Sequence, residues 1–251
     1  MRRLSLLLGA LTLSTASSAA QADASSSTGS SWGLGLTVGL DRKPYRDFDD
    51  ETQVLPLLVY ENRWVRVAGP TLDLKLLGRE SWTAGLRLRY AGDGYEADDS
   101  PFLQGMAERK SSFWLGGAAA WRTGWATLSA EVLGDASGHS KGTRMSLGVE
   151  RRFSAGAFDL TPRVVGHRVD RKFVDYYYGV RAEEATARRA AHAGAASTNL
   201  ELGLRVGYAI APRHRLSLDL STTRLGDAIQ DSPLVERRRQ DSARLSYLYL
   251  F

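Results

Sequence analysis

The sequence predicts an all-β fold: a transmembrane, antiparallel, up-and-down β-barrel of about twelve strands, within a range of 10–12. Three observations predict it. Apolar and polar residues alternate with period two through most of the chain. Connections are short and long in turn, as in a barrel with tight turns at one end and loops at the other. The chain ends Tyr247-Leu248-Tyr249-Leu250-Phe251, a strand with aromatics at alternate positions.

The N-terminus has an export pattern. Arg2 and Arg3 form a basic n-region, and Leu4 to Leu13 are mostly apolar. Ala20-Gln21-Ala22 is an A-x-A cleavage site, so residues 1–22 read as a cleaved signal peptide. The apolar stretch is too short to span a bilayer, which takes about 20 residues. Residues 23–31 are Ser-rich and read as a flexible lead-in, and residues 32–251 read as the barrel. The chain holds 33 Lys+Arg; losing Arg2 and Arg3 leaves 31 against 28 Asp+Glu, a net charge of +3. That small excess does not point to nucleic acid, which needs a concentrated basic face. With no Cys, lipoprotein acylation, disulfides and thiolate metal sites are excluded.

Alternation places the strands. Leu34, Leu36, Val38 and Leu40 share one face, and Gly33, Gly35, Thr37 and Gly39 the other. The pattern recurs at Trp82 to Tyr90, Met145 to Val149, Leu200 to Ile210 and Leu216 to Leu220. Strands are expected near 32–40, 53–61, 63–77, 82–91, 111–121, 125–133, 143–153, 157–168, 198–210, 213–222 and 241–251. That is eleven, whereas bacterial barrels have an even number. Gly69-Pro70 interrupts 63–77, and proline disfavours a continuous central ladder, so a split there gives twelve. Tyr176 to Val180 is another candidate crossing. Trp32, Tyr60, Trp64, Trp82, Tyr90, Trp121, Trp125, Phe153 and Phe158 lie near strand ends, as girdle residues do.

A soluble sandwich would bury the apolar face against a second sheet; a membrane barrel turns it to lipid and points polar residues inward. Arg87, Arg89, Arg144, Arg205 and Arg215, with Glu150, Glu201 and Asp219, are therefore expected to line the lumen. Arg at the midplane of the lipid face costs roughly 2–4 kcal/mol. Cross-strand pairing among these charges would fill a narrow barrel.

Catalysis finds no foothold: there is no G-x-S-x-G, and Ser137 and His139 are only two residues apart in one loop. His139, His167, His192 and His214 lack metal-ligand spacing. No catalytic, metal or cofactor residues are assigned. Residues 92–110 carry Asp93, Glu96, Asp98, Asp99 and Glu108 and read as a solvated loop without EF-hand spacing, one that could hold a divalent cation near lipopolysaccharide. In 181–192, Glu184 and Arg188 stand at i, i+4, as in a short solvated helix.

Several local patterns occur in a characteristic order. They are Leu55-Pro56-Leu57 before Tyr60-Glu61-Asn62, Gly105-Met106 before Glu108-Arg109-Lys110, Gly134-Asp135 before Ser137-Gly138-His139, and Tyr177-Tyr178-Gly179-Val180 before Glu183-Glu184-Ala185. Asp231-Ser232-Pro233-Leu234-Val235 and the aromatic terminus follow. In this the chain resembles the MipA/OmpV family of outer-membrane proteins, the MltA-interacting protein family. The resemblance implies a non-enzymatic barrel in the outer membrane of a Gram-negative bacterium, acting as a scaffold for a lytic transglycosylase and a murein synthase. Other members of the family are porin-like or adhesive, so a narrow, weakly anion-selective pore or a surface adhesin is the alternative. Tyr247, Tyr249 and Phe251 resemble the terminal signal read by the barrel assembly machinery. The remaining partners expected are outer-membrane lipid and lipopolysaccharide.

Overall fold

The computed structural model describes residues 30–251. The signal peptide and cleavage site expected over residues 1–22, and most of the expected lead-in, lie outside the described residues.

The chain forms a closed antiparallel barrel. Its strands are β1 (Ser31–Arg42), β2 (Glu51–Glu61), β3 (Val65–Ala68), β4 (Thr71–Arg79), β5 (Trp82–Ala91), β6 (Ser112–Arg122) and β7 (Thr127–Asp135). They continue with β8 (Thr143–Glu150), β9 (Phe153–Ala155), β10 (Phe158–Val169), β11 (Ser197–Ala211), β12 (His214–Arg224) and β13 (Arg239–Leu250). Neighbours in sequence pair, and β13 pairs with β1 to close the wall. Both β8 and β9 pair with β10, so they are two parts of one crossing and the barrel has twelve.

Proline explains the break between β8 and β9. Pro162 on β10 turns its backbone toward them, where its carbonyl accepts from Arg151 N–H at 3.2 Å. Pro162 has no N–H to return, so the ladder skips Arg151-Arg152 and resumes at Leu160↔Phe153. The split in 63–77 falls where the sequence places it. Gly69 has φ +54° and opens a two-residue turn with Pro70, joining β3 to β4. Glycine at the first central position and proline's fixed φ at the second suit a tight hairpin. Tyr176 to Val180 is not a crossing: its first three residues end a helix.

The outer face is apolar, with Leu36 56 % exposed and Leu147 70 % exposed. Trp32, Trp64, Trp82, Trp121 and Trp125 are exposed at the short-turn end and form a girdle there. At the other end the long loops are not the solvated chains that their composition predicts. They pack into an apolar core containing Tyr45, Tyr95, Leu103, Met106, Phe173, Tyr177 and Leu234, with Trp114 of β6 beneath. Helix α1 (Arg171–Tyr178) anchors this cap. Asp170 accepts from Phe173 N–H at its N-terminus, and Phe173, Val174, Tyr177 and Tyr178 turn inward.

Candidate functional site

Strands bring together charges that are far apart in sequence, because residues facing each other across a ladder share a face. Arg87 donates twice to Asp73, at 2.6 and 2.9 Å, and once to Glu131 at 2.7 Å. Arg89 donates to both oxygens of Glu131, at 3.0 and 2.8 Å. Ser146 donates to Glu131 at 3.3 Å and lies 2.9 Å from His167 Nδ1. His167 Nε2 is 3.3 Å from Glu201, which accepts from Arg163 at 2.7 Å. Arg163 then grips Asp219 with two bonds, at 3.0 and 2.9 Å, and Arg205 completes the chain at 2.8 Å. This polar belt lines the inner wall from β4 to β12. A separate pair, Arg244 and Asp41 at 2.7 Å, sits beside the β13–β1 seam.

Of the charges named from the sequence, Arg87, Arg89, Glu201, Arg205 and Asp219 lie in this belt. Glu150 is buried on β8, opposite Arg163 in register. Arg144 lies higher, 2.8 Å from Asp93 and over the rings of Trp114 and Phe173, and so ties the wall to the cap. Arg215 lies near the short-turn end, opposite Ala209 and Leu248. Sequence reading passed over Asp41, Asp73, Glu131, Arg163, His167 and Arg244. Their signal was present: each occupies an inward position of an alternating strand. Nor is the interior uniformly polar. Leu55, Leu57 and Val59 on β2 share the inner face with Gly35 and Thr37 of β1 and with Leu248 of β13.

The cap has its own ion pair. Arg109 donates to Glu184 at 2.8 Å and to the Tyr176 and Ala107 carbonyls at 2.7 Å each. Glu184 also accepts from the N–H groups of Ala107 and Arg181. The helix expected over 181–192 is absent; only Ala182–Glu184 forms a single 3₁₀ turn, because Glu184 faces Arg109 rather than Arg188. Burial alone would raise the Glu184 pKa, but the bonds from Arg109, Arg181 and Ala107 outweigh it and lower the value to about 2. A depressed carboxylate pKa stabilises the fold above the unfolded value of 4.5, and that stability is lost as pH falls toward about 2. Near-UV circular dichroism from the cap tyrosines should therefore weaken on acidification through this window. In Glu184→Gln the signal should be weaker at neutral pH and should change less with acid.

At the chain terminus, Tyr247 and Tyr249 face outward from β13. Phe251 stacks on Trp32 of β1 with ring centroids 3.8 Å apart and planes 6° from parallel. Its N–H donates to the Trp32 carbonyl at 3.0 Å.

Residues 34–251 match the family described as MltA-interacting protein MipA. The chain is 31% identical over 156 residues to the outer membrane protein Omp26La of Vibrio anguillarum, covering 62% of this chain and 61% of that one. It is 27% identical over 244 residues to the MltA-interacting protein of Escherichia coli (strain K12), covering 94% of each. Among solved structures, the NanC porin aligns with a TM-score of 0.46 at 10% identity, covering 86% of this chain and 98% of that chain. A closed barrel with an apolar outer face, matched over residues 34–251 by one family, belongs to that family: the chain is a MipA-family outer-membrane protein.

Proposed function

We propose that the protein is a non-enzymatic scaffold that couples the outer membrane to peptidoglycan-remodelling enzymes, a lytic transglycosylase and a murein synthase. The observation that supports this reading is an interior lined by paired charges beneath a packed cap. The polar belt runs along the inner wall from β4 to β12, and a packed apolar cap lies over the outer mouth. A barrel lined and capped in this way is suited to act through its surface rather than its bore. The periplasmic turns offer a surface, with exposed Arg63, Arg79, Arg122, Arg151, Arg152 and Arg213. The name of the Escherichia coli relative, MltA-interacting protein, supports a murein enzyme as partner.

The test pairs two measurements on the folded protein. Single-channel conductance in planar bilayers should be low, far below that of open porins, which use about 16–18 strands. Affinity capture from envelope extracts should recover a murein hydrolase or synthase, and charge reversal at Arg151 and Arg152 should reduce the yield. Large, steady conductance would favour a pore instead. Low conductance with neither enzyme recovered would favour an adhesin, for which the ordered outer cap provides a fixed surface.

A further inference from the structure

The wall of the barrel is incomplete on one side. β2 pairs with β1 along its whole length, Glu51 to Glu61. On its other side it meets β3 only at Val59, Tyr60 and Glu61, and Leu58 O accepts a last bond from Gly69 N–H at 3.0 Å. From Glu51 to Pro56 no strand pairs with that edge among the described residues. Across the gap, Tyr90 N–H of β5 donates to the Pro70 carbonyl of the turn at 3.0 Å, and β5 continues one residue further to Ala91, where it pairs with β6, so the gap is deep beside β2 and shallow beside β5. Strands tilted about 40° and rising about 3.3 Å per residue place the β3–β4 turn roughly 10 Å below the rim that β1, β2, β5 and β6 reach. In an apolar band about 25 Å tall, that turn lies near the bilayer midplane. The opening spans three strand spacings, about 14 Å, between β2 and β5. It is closed above. Lys43 Nζ donates to the Gly94 carbonyl at 3.1 Å, Ser100 Oγ donates to the Arg46 carbonyl at 2.7 Å, and the Tyr45 and Tyr95 rings meet at 4.9 Å. The result is a window facing the outer leaflet.

The residues around the window suit hydrocarbon. Val54, Pro56 and Leu58 face outward, while Leu55 and Leu57 face inward, so β2 is apolar on both faces here. Elsewhere inward positions on the strands are mostly polar or glycine. Gly35, opposite Leu57, leaves the inner wall bare of a side chain at that height. The backbone of the edge is adapted too. Backbone groups alternate sides along a strand, and Leu58 turns its carbonyl to the gap, so Pro56 also faces the gap. Proline has no N–H, so one donor that hydrocarbon could not satisfy is absent. Two inward polar atoms beside the opening have no hydrogen-bond partner: Thr71 Oγ1, on a residue 4 % exposed, and Gln53 Oε1.

We propose that this window admits an acyl chain of an outer-leaflet lipid. The chain would lie against Leu55 and Leu57 on the inner face of β2, with its ester or amide linkage within reach of Thr71 and Gln53. The inference stands apart from the scaffold reading, since a capped, charge-lined lumen can still open sideways. Water as the occupant would leave two leucines wetted, and a strand from a second chain would satisfy the edge but shield the inner face from lipid.

The chain has no Cys, so single cysteines report unambiguously. Leu57→Cys, labelled with bimane, is reconstituted into phosphatidylcholine bilayers brominated at mid-chain. Leu36→Cys serves as a lipid-facing reference and Ser217→Cys as an inward-facing one. Quenching at Leu57→Cys is expected to reach at least half that at Leu36→Cys and to exceed that at Ser217→Cys severalfold. Leu55→Cys, on the same face, repeats the measurement should Leu57→Cys fail to give heat-modifiable barrel. Quenching below half the Leu36→Cys value overturns the proposal: aqueous iodide quenching in its place identifies a wetted window, and protection from both quenchers identifies a covered one.

Discussion

Replacing Glu131 with alanine is expected to lower the unfolding temperature of the barrel sharply. Glu131 is nearly buried and accepts bonds from both Arg87 and Arg89. After the change Arg87 keeps Asp73, but Arg89 loses the carboxylate 2.8 Å away. Removing one partner of a buried ion pair costs about 3–5 kcal/mol, because the remaining charge stays desolvated. The shift can be read from the temperature at which the compact band converts to the unfolded band in denaturing gels. Glu131→Gln, which keeps an acceptor, should lose less. Glu131→Met combined with Arg89→Met should recover much of the loss, because the guanidinium is then removed together with its carboxylate. Melting of Glu131→Ala at the wild-type temperature would mean that the belt lines the lumen without holding the barrel together.

Loss of Phe251 is expected to reduce the amount of folded protein in the outer membrane severalfold. The residue lies at the seam where the last strand meets the first, stacked on Trp32 and edge-on to Tyr249 at 4.9 Å. We propose that the terminal strand, with Tyr247, Tyr249 and Phe251, is recognised by the barrel assembly machinery before the seam closes and the open edges disappear. Deletion of Phe251, or Phe251→Asp, should lower the yield of heat-modifiable barrel, while Phe251→Tyr should retain it. A second measurement separates recognition from packing. If the stack serves only the finished barrel, the variants will reach normal levels but melt earlier, and the recognition reading fails.

The period-two pattern determined the crossings, because lipid on one side and lumen on the other impose opposite chemistry on successive residues. It located even the hidden hairpin, since Gly69-Pro70 cannot continue a ladder. Inward orientation of Arg87, Arg89, Arg205 and Asp219 was legible for the same reason: an outward charge would sit in hydrocarbon. The identity of their partners was not legible. Arg163 reaches Glu201 and Asp219, and Glu131 reaches two arginines, through the register and curvature of strands dozens of residues apart. The loops show the same limit. Their acidic, glycine-containing composition read as solvated chain, yet Tyr95, Leu103, Met106 and Tyr177 meet in one core because closure of the barrel brings the loops to one end. The window depended most on tertiary structure. Proline and leucine at 55–57 were visible from the start, but an unpaired edge is a property of a neighbour's length. Only the closed barrel showed β3 stopping about a third of the way up β2, with no strand to satisfy the backbone above it.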